Sequence, residues 1–321
     1  MVHAIGHPRR IGVGVVVAAV AALAAPAGAE ADDVVSRQVT SGSSEVRGYW
    51  TPARMAGARP ASELLAGLWL PAEPVGAVLG GGEPGARSAA QPVTNTRAYP
   101  ARTHGKVFFH LPSGDYVCSG TVVRARNKRL VATAGHCVFG DGTFADHWMF
   151  VPGKGGSSEP FGRWVAARLA APRRWQASED LRYDVGMATM RKRNGRRLQK
   201  VVGARGIAFN QGRNLHFDAF GYPALPPFGG ARLYRCSSKA QGTDSGPSPA
   251  ATRIDCDMTG GASGGGWIIG HRRVNSVTSY GYDPLCPALC PDPDGEKLYG
   301  PYFGATIEKL YRSQRRKAGA G

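Results

Sequence analysis

From Lys106 onward the chain is cut into short apolar runs, rich in β-branched and aromatic residues, with turn residues between them. The runs are Lys106–Leu111, Tyr116–Arg124, Leu130–Ala134, Trp148–Val151, Trp164–Leu169, Val185–Met190, Gly206–Phe209, Leu215–Phe220, Arg232–Cys236, Arg253–Met258, Gly266–Ile269 and Arg273–Tyr280. Stretches of this length and type read as strands. No helical pattern alternates with them, so they cannot build a parallel βαβ sheet, and the expectation is an all-β fold of barrels. The 45 glycines and 23 prolines supply turns for such a fold. Only the end differs: over Ala305–Arg315, Ile307, Leu310 and Tyr311 recur at helical spacing and predict a C-terminal helix.

Ahead of the strands, Arg9 and Arg10 precede an apolar run from Ile11 to Ala25, and Ala27-Gly28-Ala29 then forms a small-x-small cleavage pattern before Glu30. The run is shorter than the roughly 20 residues that a membrane span needs. Residues 1–29 are therefore expected to be a signal peptide, and the product to be secreted to the extracellular space with no membrane anchor left after cleavage. Residues 30–100 hold much Pro, Gly, Ala and Ser, no cysteine, and Gly80-Gly81-Gly82. They read as a propeptide or flexible region rather than a packed domain. Within them Thr51 before Pro52 marks a helix start.

Six cysteines follow: Cys118, Cys137, Cys236, Cys256, Cys286 and Cys290. An even number in an exported chain predicts disulfides. Zinc is the rival, but Cys286 and Cys290 have no histidine or second cysteine pair beside them at ligand spacing. No metal site is expected. The net charge of +17 favours acidic partners, but the basic residues are scattered rather than gathered into an aromatic-interleaved patch, so nucleic acid is not expected as a partner.

Three segments carry chemistry. In Thr133-Ala134-Gly135-His136-Cys137 a strand places a histidine and a cysteine can pin it; Cys118, in the preceding strand, is the natural partner. In Met258–Gly266, Gly260-Gly261-Ala262-Ser263-Gly264-Gly265 makes a tight turn poor in side chains. Such a turn leaves room for a substrate backbone and frees N–H groups, here those of Gly261 and Ser263, to face a developing oxyanion. In Tyr183-Asp184-Val185-Gly186 an acid enters an apolar strand, where it can fix a histidine tautomer and stabilise the imidazolium. The turn also satisfies Gly-x-Ser-x-Gly, but that hydrolase motif runs serine, acid, histidine. After Ser263 the one histidine is His271, with no acid between them.

The order His136, Asp184, Ser263, with Thr-Ala-Gly-His-Cys and Gly-x-Ser-Gly-Gly around its ends, resembles the chymotrypsin/trypsin family of serine peptidases. The resemblance covers about residues 105 to 312. The segment Tyr49–Met55, Cys118-Ser119-Gly120, Gly221-Tyr222-Pro223 and Gly300–Gly304 look closest to secreted bacterial members near the glutamyl endopeptidases. It implies two six-stranded antiparallel β-barrels: residues 101–198 with the histidine and the aspartate, and 199–321 with the serine and the terminal helix. It implies a serine endopeptidase acting on proteins or peptides, as a monomer, without a cofactor. Ser263 would be the nucleophile, His136 the general base, and Asp184 the residue that orients it. The inferred bridges are Cys118–Cys137, Cys236–Cys256 and Cys286–Cys290.

Ser279-Tyr280-Gly281 resembles the strand that pairs with the substrate backbone. Asp257, six residues before Ser263, stands where basic-specific members hold their pocket acid; acidic and small-apolar preferences stay open. Thr278 replaces the histidine of glutamyl-specific members. Ala262 replaces the acid with which family zymogens pair a new N-terminus. The N-terminal region is therefore expected to assist folding or to block the cleft. A catalytically silent family member, acting as an extracellular binding or envelope-associated protein, is the alternative.

Overall fold

Alternation along His104–Leu111 sets the architecture: Val107, Phe109 and Leu111 enter one core, while Phe108 between them joins another on the opposite face. The structure, a computed structural model, describes residues 1–4, 6, 33–68, 88–244, 247–281 and 297–317. Apart from residues 1–4 and 6, the expected signal peptide, with its apolar run and cleavage pattern, lies outside the described residues, as do Gly80-Gly81-Gly82, Cys286 and Cys290. Residues 1–31 form a unit of their own, and 32–321 form the other.

In the larger unit the N-terminal part supplies β1 (Val34–Gln38), α1 (Ser43–Tyr49), α2 (Pro52–Gly57), β2 (Arg59–Pro60), a 3-10 run over Ala61–Leu68, and β3 (Gln91–Pro92). The next strands are β4 (His104–Leu111), β5 (Gly114–Val123), β6 (Leu130–Thr133) and a small hairpin of β7 (Phe139–Gly140) with β8 (Thr143–Phe144). Then come β9 (Asp146–Pro152), β10 (Trp164–Pro172), α3 (Arg173–Ser178) and β11 (Gly186–Met190). The ladder runs β10-β11-β6-β5-β4-β9, and β9 pairs back onto β10, so six antiparallel strands close a barrel.

After α4 (Leu198–Val202), the second half is built from β12 (Gly206–Ile207), β13 (His216–Gly221), β14 (Tyr234–Thr243), β15 (Thr252–Asp255), β16 (Gly266–Ile269), β17 (Arg273–Val277), β18 (Tyr280–Gly281) and β19 (Lys297–Gly300). Its order is β12-β17-β16-β13-β14-β15-β19-β18. Among the described residues strand pairing leaves this path open. Single bonds link the β17 side to β19 and the residue after it: Ser279 N–H donates to Tyr299 O at 2.9 Å, and Ser276 Oγ to Pro301 O at 2.8 Å.

Helix α5 (Ala305–Gln314) buries Ile307 and Leu310 in a cluster that takes Val123, Leu130 and Val185 from the first half, and Phe220, Ile268 and Val274 from the second. Its apolar face thus seals the seam. Two disulfides, Cys118–Cys137 and Cys236–Cys256, have the expected partners. No helix of the described residues is long and apolar enough to cross a membrane.

The region expected to be flexible departs from that expectation wherever it is described. β1 pairs with β10, β2 with β5 and β3 with β14. Thr51 caps α2 as expected, accepting from Arg54 N–H. Val46 and Trp50 are fully buried against Phe108, Val117, Met149, Val151 and Val165. Val46 and Trp50 thus fit a surface that the barrel presents.

Candidate active site

Strand β6 ends at Thr133, and the chain turns through Ala134-Gly135 to deliver His136. Gly135 is required there, because a Cβ would lie 2.8 Å from both Asp184 Oδ1 and the Trp175 ring. A 3-10 turn, Leu181–Tyr183, sets Asp184 just before β11. The carboxylate is fully buried and grips His136 twice: Oδ1 accepts the backbone N–H at 2.8 Å, and Oδ2 lies 2.8 Å from Nδ1. With a carboxylate as partner, Nδ1 carries the proton and Nε2 is the basic nitrogen. A third donor, Ser279 Oγ, reaches Oδ2 at 2.5 Å. Three donors offset the desolvation of this carboxylate. On the far side of the ring, Nε2 is buried and makes no hydrogen bond among the described residues.

The turn with Ser263 comes from the second half and docks on the first. Ser119 N–H donates to Ser263 O at 2.7 Å, and Ser119 Oγ donates to Gly261 O at 2.9 Å. A Cβ on Gly264, whose φ is +78°, would collide with Thr133 Oγ1 and come within 2.8 Å of Ala134 N. The serine turn therefore rests on the end of the strand that carries His136. Ser263 is 3 % exposed and His136 1 %.

Backbone contacts fix the two expected oxyanion donors. Gly260 O accepts from Ala224 N–H at 2.7 Å, so the Gly261 N–H, on the other edge of the same trans peptide, faces away. Ala262 O accepts from Gly265 N–H at 2.9 Å, which aims the Ser263 N–H in the same manner. Among the described residues neither N–H has a partner. Gly261 has φ +96°, a conformation only glycine holds without strain, and a Cβ there would be 2.7 Å from Tyr222 O.

The residues expected to bind substrate divide. Tyr280 and Gly281 form β18, paired with β19, and the Tyr280 ring stacks on Tyr299 at 4.9 Å. The Ser279 side chain turns instead to Asp184. Asp257 is half-buried beside the Cys236–Cys256 disulfide, and its Oδ1 accepts the Ala90 N–H at 2.7 Å. Thr278 is buried and accepts from Trp267 Nε1 at 2.9 Å. Ser119, Thr133 and the Ser279 hydroxyl carry site geometry that the motifs did not announce. Their work is long-range, and the nearest local signal was the Cys118-Ser119-Gly120 strand.

Two clusters of metal-ligating residue types occur among the described residues: Cys118, His136 and Cys137, and Cys236, Cys256 and Asp257. In each, both sulfurs are tied up in a disulfide. One histidine or one carboxylate then remains, too few for a protein-held ion.

No protein-family model matches the chain. Among solved structures, the protease Anisep from Arthrobacter nicotinovorans is 39% identical, with a TM-score of 0.64, and the match covers 71% of this chain and 100% of that one. The thermostable serine protease AL20 from an extremophilic microorganism is 36% identical, with a TM-score of 0.62, covering 68% of this chain and 98% of that one. A curated glutamyl endopeptidase of Bacillus licheniformis is 36% identical over 96 residues; the match takes in 29% of this chain and 28% of that protein. The chain belongs to the bacterial trypsin-like serine proteases.

Proposed function

We propose that the chain is a secreted serine endopeptidase that cleaves peptide bonds through an acyl-enzyme on Ser263. The observation that carries this reading is the paired grip of Asp184 on His136, with Nε2 left unbonded, beside a serine turn whose two N–H groups are unpaired.

In the first step Ser263 Oγ attacks the scissile carbonyl carbon while its proton passes to His136 Nε2. The carbonyl oxygen becomes an oxyanion facing the N–H groups of Gly261 and Ser263, which need no reorganisation to meet it. Asp184 stabilises the imidazolium without taking its proton. His136 then protonates the leaving amine as the C–N bond breaks, and an ester on Ser263 remains. Water, deprotonated by the same Nε2, attacks that ester, and the proton returns to Oγ as the acid product leaves.

Asp257 is the proposed source of a preference for a basic side chain before the cut. Among the described residues Ala90 engages one of its oxygens and leaves the other for a charge-assisted bond. Secretion is supported by the signal-type N-terminus and by two disulfides, which persist in oxidising compartments.

The test is labelling with a fluorophosphonate together with hydrolysis of arginyl and glutamyl chromogenic peptides. Labelling that disappears in Ser263→Ala, with turnover of the arginyl peptide, is the expected result. A folded protein that neither labels nor cleaves any member of a peptide library overturns the peptidase. Cleavage of glutamyl but not arginyl peptides overturns only the role of Asp257.

A further inference from the structure

We propose that the end of the first barrel away from His136 and Ser263 is a docking surface for an anionic polymer, a phosphate-bearing chain of the cell wall. The choice of a wall polymer uses the export proposed above; the surface itself does not depend on the peptidase reading.

Along the sequence the cations are dispersed, and the fold gathers them. Three segments, residues 124–129, 192–200 and 312–317, hold thirteen of the 40 Lys and Arg and no Asp or Glu. The loop between β5 and β6 is the hub. Asn127 N–H donates to Arg315 O at 2.9 Å and Asn127 Nδ2 to Gln314 O at 2.9 Å, which ties the loop to the end of α5. Gln199 N–H donates to Lys128 O at 3.0 Å, and Gln199 Oε1 accepts the Ala125 N–H at 3.3 Å, which ties it to α4. Met190 N–H donates to Arg129 O at 2.9 Å, two residues ahead of Lys192. The three segments therefore form one basic patch.

Its charge is not neutralised from within. Among the described residues one of the thirteen, Arg312, pairs with a carboxylate, that of Glu308. Arg124, Arg126, Arg196, Arg197, Lys200 and Arg316 are exposed. Beneath them Arg129 is 5% exposed, and its Nε and Nη1 have no hydrogen-bond partner among the described residues. Burial first, then the charge of Arg197, lowers its pKa. Like charges packed in this way repel one another and weaken the fold. A bound polyanion offsets that repulsion, and releases its own counterions as it binds.

The patch leaves the catalytic groups uncovered, because three strands run from one to the other. β5 passes Ser119, which holds the Ser263 turn, and ends at Val123 before the basic loop. β6 starts at Leu130 after that loop and ends at Thr133 before His136. β11 starts just after Asp184 and ends at Met190. Four residues of strand span about 13 Å. A polymer seated on the patch tethers the protein without covering Ser263.

The side chains select the kind of polyanion. Nine of the thirteen cations are Arg. The planar guanidinium fork meets phosphate oxygens two at a time. The exposed large apolar side chains among the described residues are Met1, Val2 and Tyr99, none of them in the three segments. The patch thus has nothing to insert among lipid tails or to stack on unpaired bases. It is made of loops, the five-residue α4 and the end of α5, and no helix or ribbon lies along it to enter a duplex groove. A flexible chain of phosphates needs none of these devices, and an exported protein meets such chains at the wall.

The test uses the full chain carrying Ser263→Ala, so that nothing is cut while binding is measured. Binding to purified bacterial walls that bear polyol phosphate is titrated against salt. Walls stripped of that polymer by acid, duplex DNA and phosphatidylglycerol vesicles are run beside them at equal phosphate. The patch variant carries Arg126→Gln, Arg197→Gln, Lys200→Gln and Arg316→Gln. The control carries Arg47→Gln, Arg97→Gln, Arg232→Gln and Lys239→Gln, an equal change of charge at exposed positions elsewhere. The patch variant should bind unstripped walls at least about tenfold more weakly, with a salt slope shallower by about 0.7 for each cation lost; the control should stay within about twofold of the parent. Circular dichroism checks that both are folded. Should the fourfold variant unfold, Arg126→Gln and Arg316→Gln alone, each lowering the slope by about 0.7, carry the test. Equal losses in patch variant and control, or equal binding to stripped walls, overturn the docking surface. Tighter binding to DNA or to vesicles than to unstripped walls overturns the choice of polymer. Because Ser263 is absent throughout, each of these failures leaves the peptidase reading where it stood.

Discussion

The two halves of the molecule build their shares of the site by different means. The first half, a closed six-stranded barrel, holds His136 with the side chain of Asp184, itself held by Ser279. The second half, an open path of strands among the described residues, presents Ser263 from a turn of glycines positioned by backbone bonds. The difference fits the chemistry proposed for each. A base needs one tautomer, which only a fixed acceptor on Nδ1 can set. An oxyanion needs converging N–H groups, and here the turn offers main-chain ones, which carry no charge to desolvate.

If that division is right, the largest loss comes from the side-chain half. Asp184→Asn keeps the shape but can donate to Nδ1, which puts the proton on Nε2 and removes the base. The expected fall in kcat is about 10⁴-fold near pH 7, with the fold unchanged by circular dichroism. A fall of less than about tenfold would mean that Asp184 serves packing and that His136 takes its proton elsewhere. The matching probe of the backbone half is Gly261→Ala. The new Cβ meets Tyr222 O and the Ala224 side chain, so the peptide must rotate and carry its N–H off target. The expected cost in kcat is about 10²- to 10³-fold with KM little changed, as for the loss of one oxyanion donor. A drop confined to KM would place Gly261 in ground-state binding instead.

The halves also meet away from the chemistry. Lys106 of β4 is nearly buried and donates to Gly230 O of the second half at 2.9 Å. Burial, then the charge of Lys154, lowers its pKa from 10.5 to about 8. Between those two values the unfolded chain binds more protons than the folded one, so stability rises with pH across that window. Below pH 8 both states are protonated and the full penalty, about 3 kcal/mol, is present. Chemical denaturation from pH 7 to 10.5 should show the rise, and Lys106→Met should flatten it. An unchanged slope in the variant would assign the rise to other groups.

What the sequence reveals, and what it hides, follows the same divide between local and distant causes. β4, β6, β11 and β16 are legible because their apolar residues sit in unbroken runs. The proposed site residues stand out in the sequence because strand-His-Cys and the glycine turn are local patterns with a mechanical reason. β14 extends to Thr243, beyond the expected Cys236, because its outer part is polar and exposed and shows no burial signal. The packing of residues 33–68 is hidden because Val46, Trp50, Ala61 and Leu65 fall in no sustained strand or helix period and find their partners on a barrel formed elsewhere. For Asp257 the spacing was readable but the contact with Ala90 was not, since it depends on β3 lying along β14.

Ser119 tests whether the two halves are coupled at all. It belongs to the first barrel, yet its hydroxyl donates to Gly261 O at 2.9 Å and accepts the Tyr222 N–H at 2.8 Å, both in the second half. Ser119→Ala removes one oxygen and leaves a buried donor and a buried acceptor unpaired, at a cost of about 1–3 kcal/mol in stability. If the first barrel only supplies the base, that loss should appear in denaturation alone. If it also steadies the turn that carries the oxyanion donors, kcat should fall about tenfold as well, equivalent to 1.4 kcal/mol, with KM nearly constant, because the wandering Gly261 peptide matters most when charge develops. Serine at 119 would then be the point where barrel rigidity passes into backbone preorganisation. A variant that is less stable but equally fast would leave the two halves as independent suppliers of base and oxyanion hole.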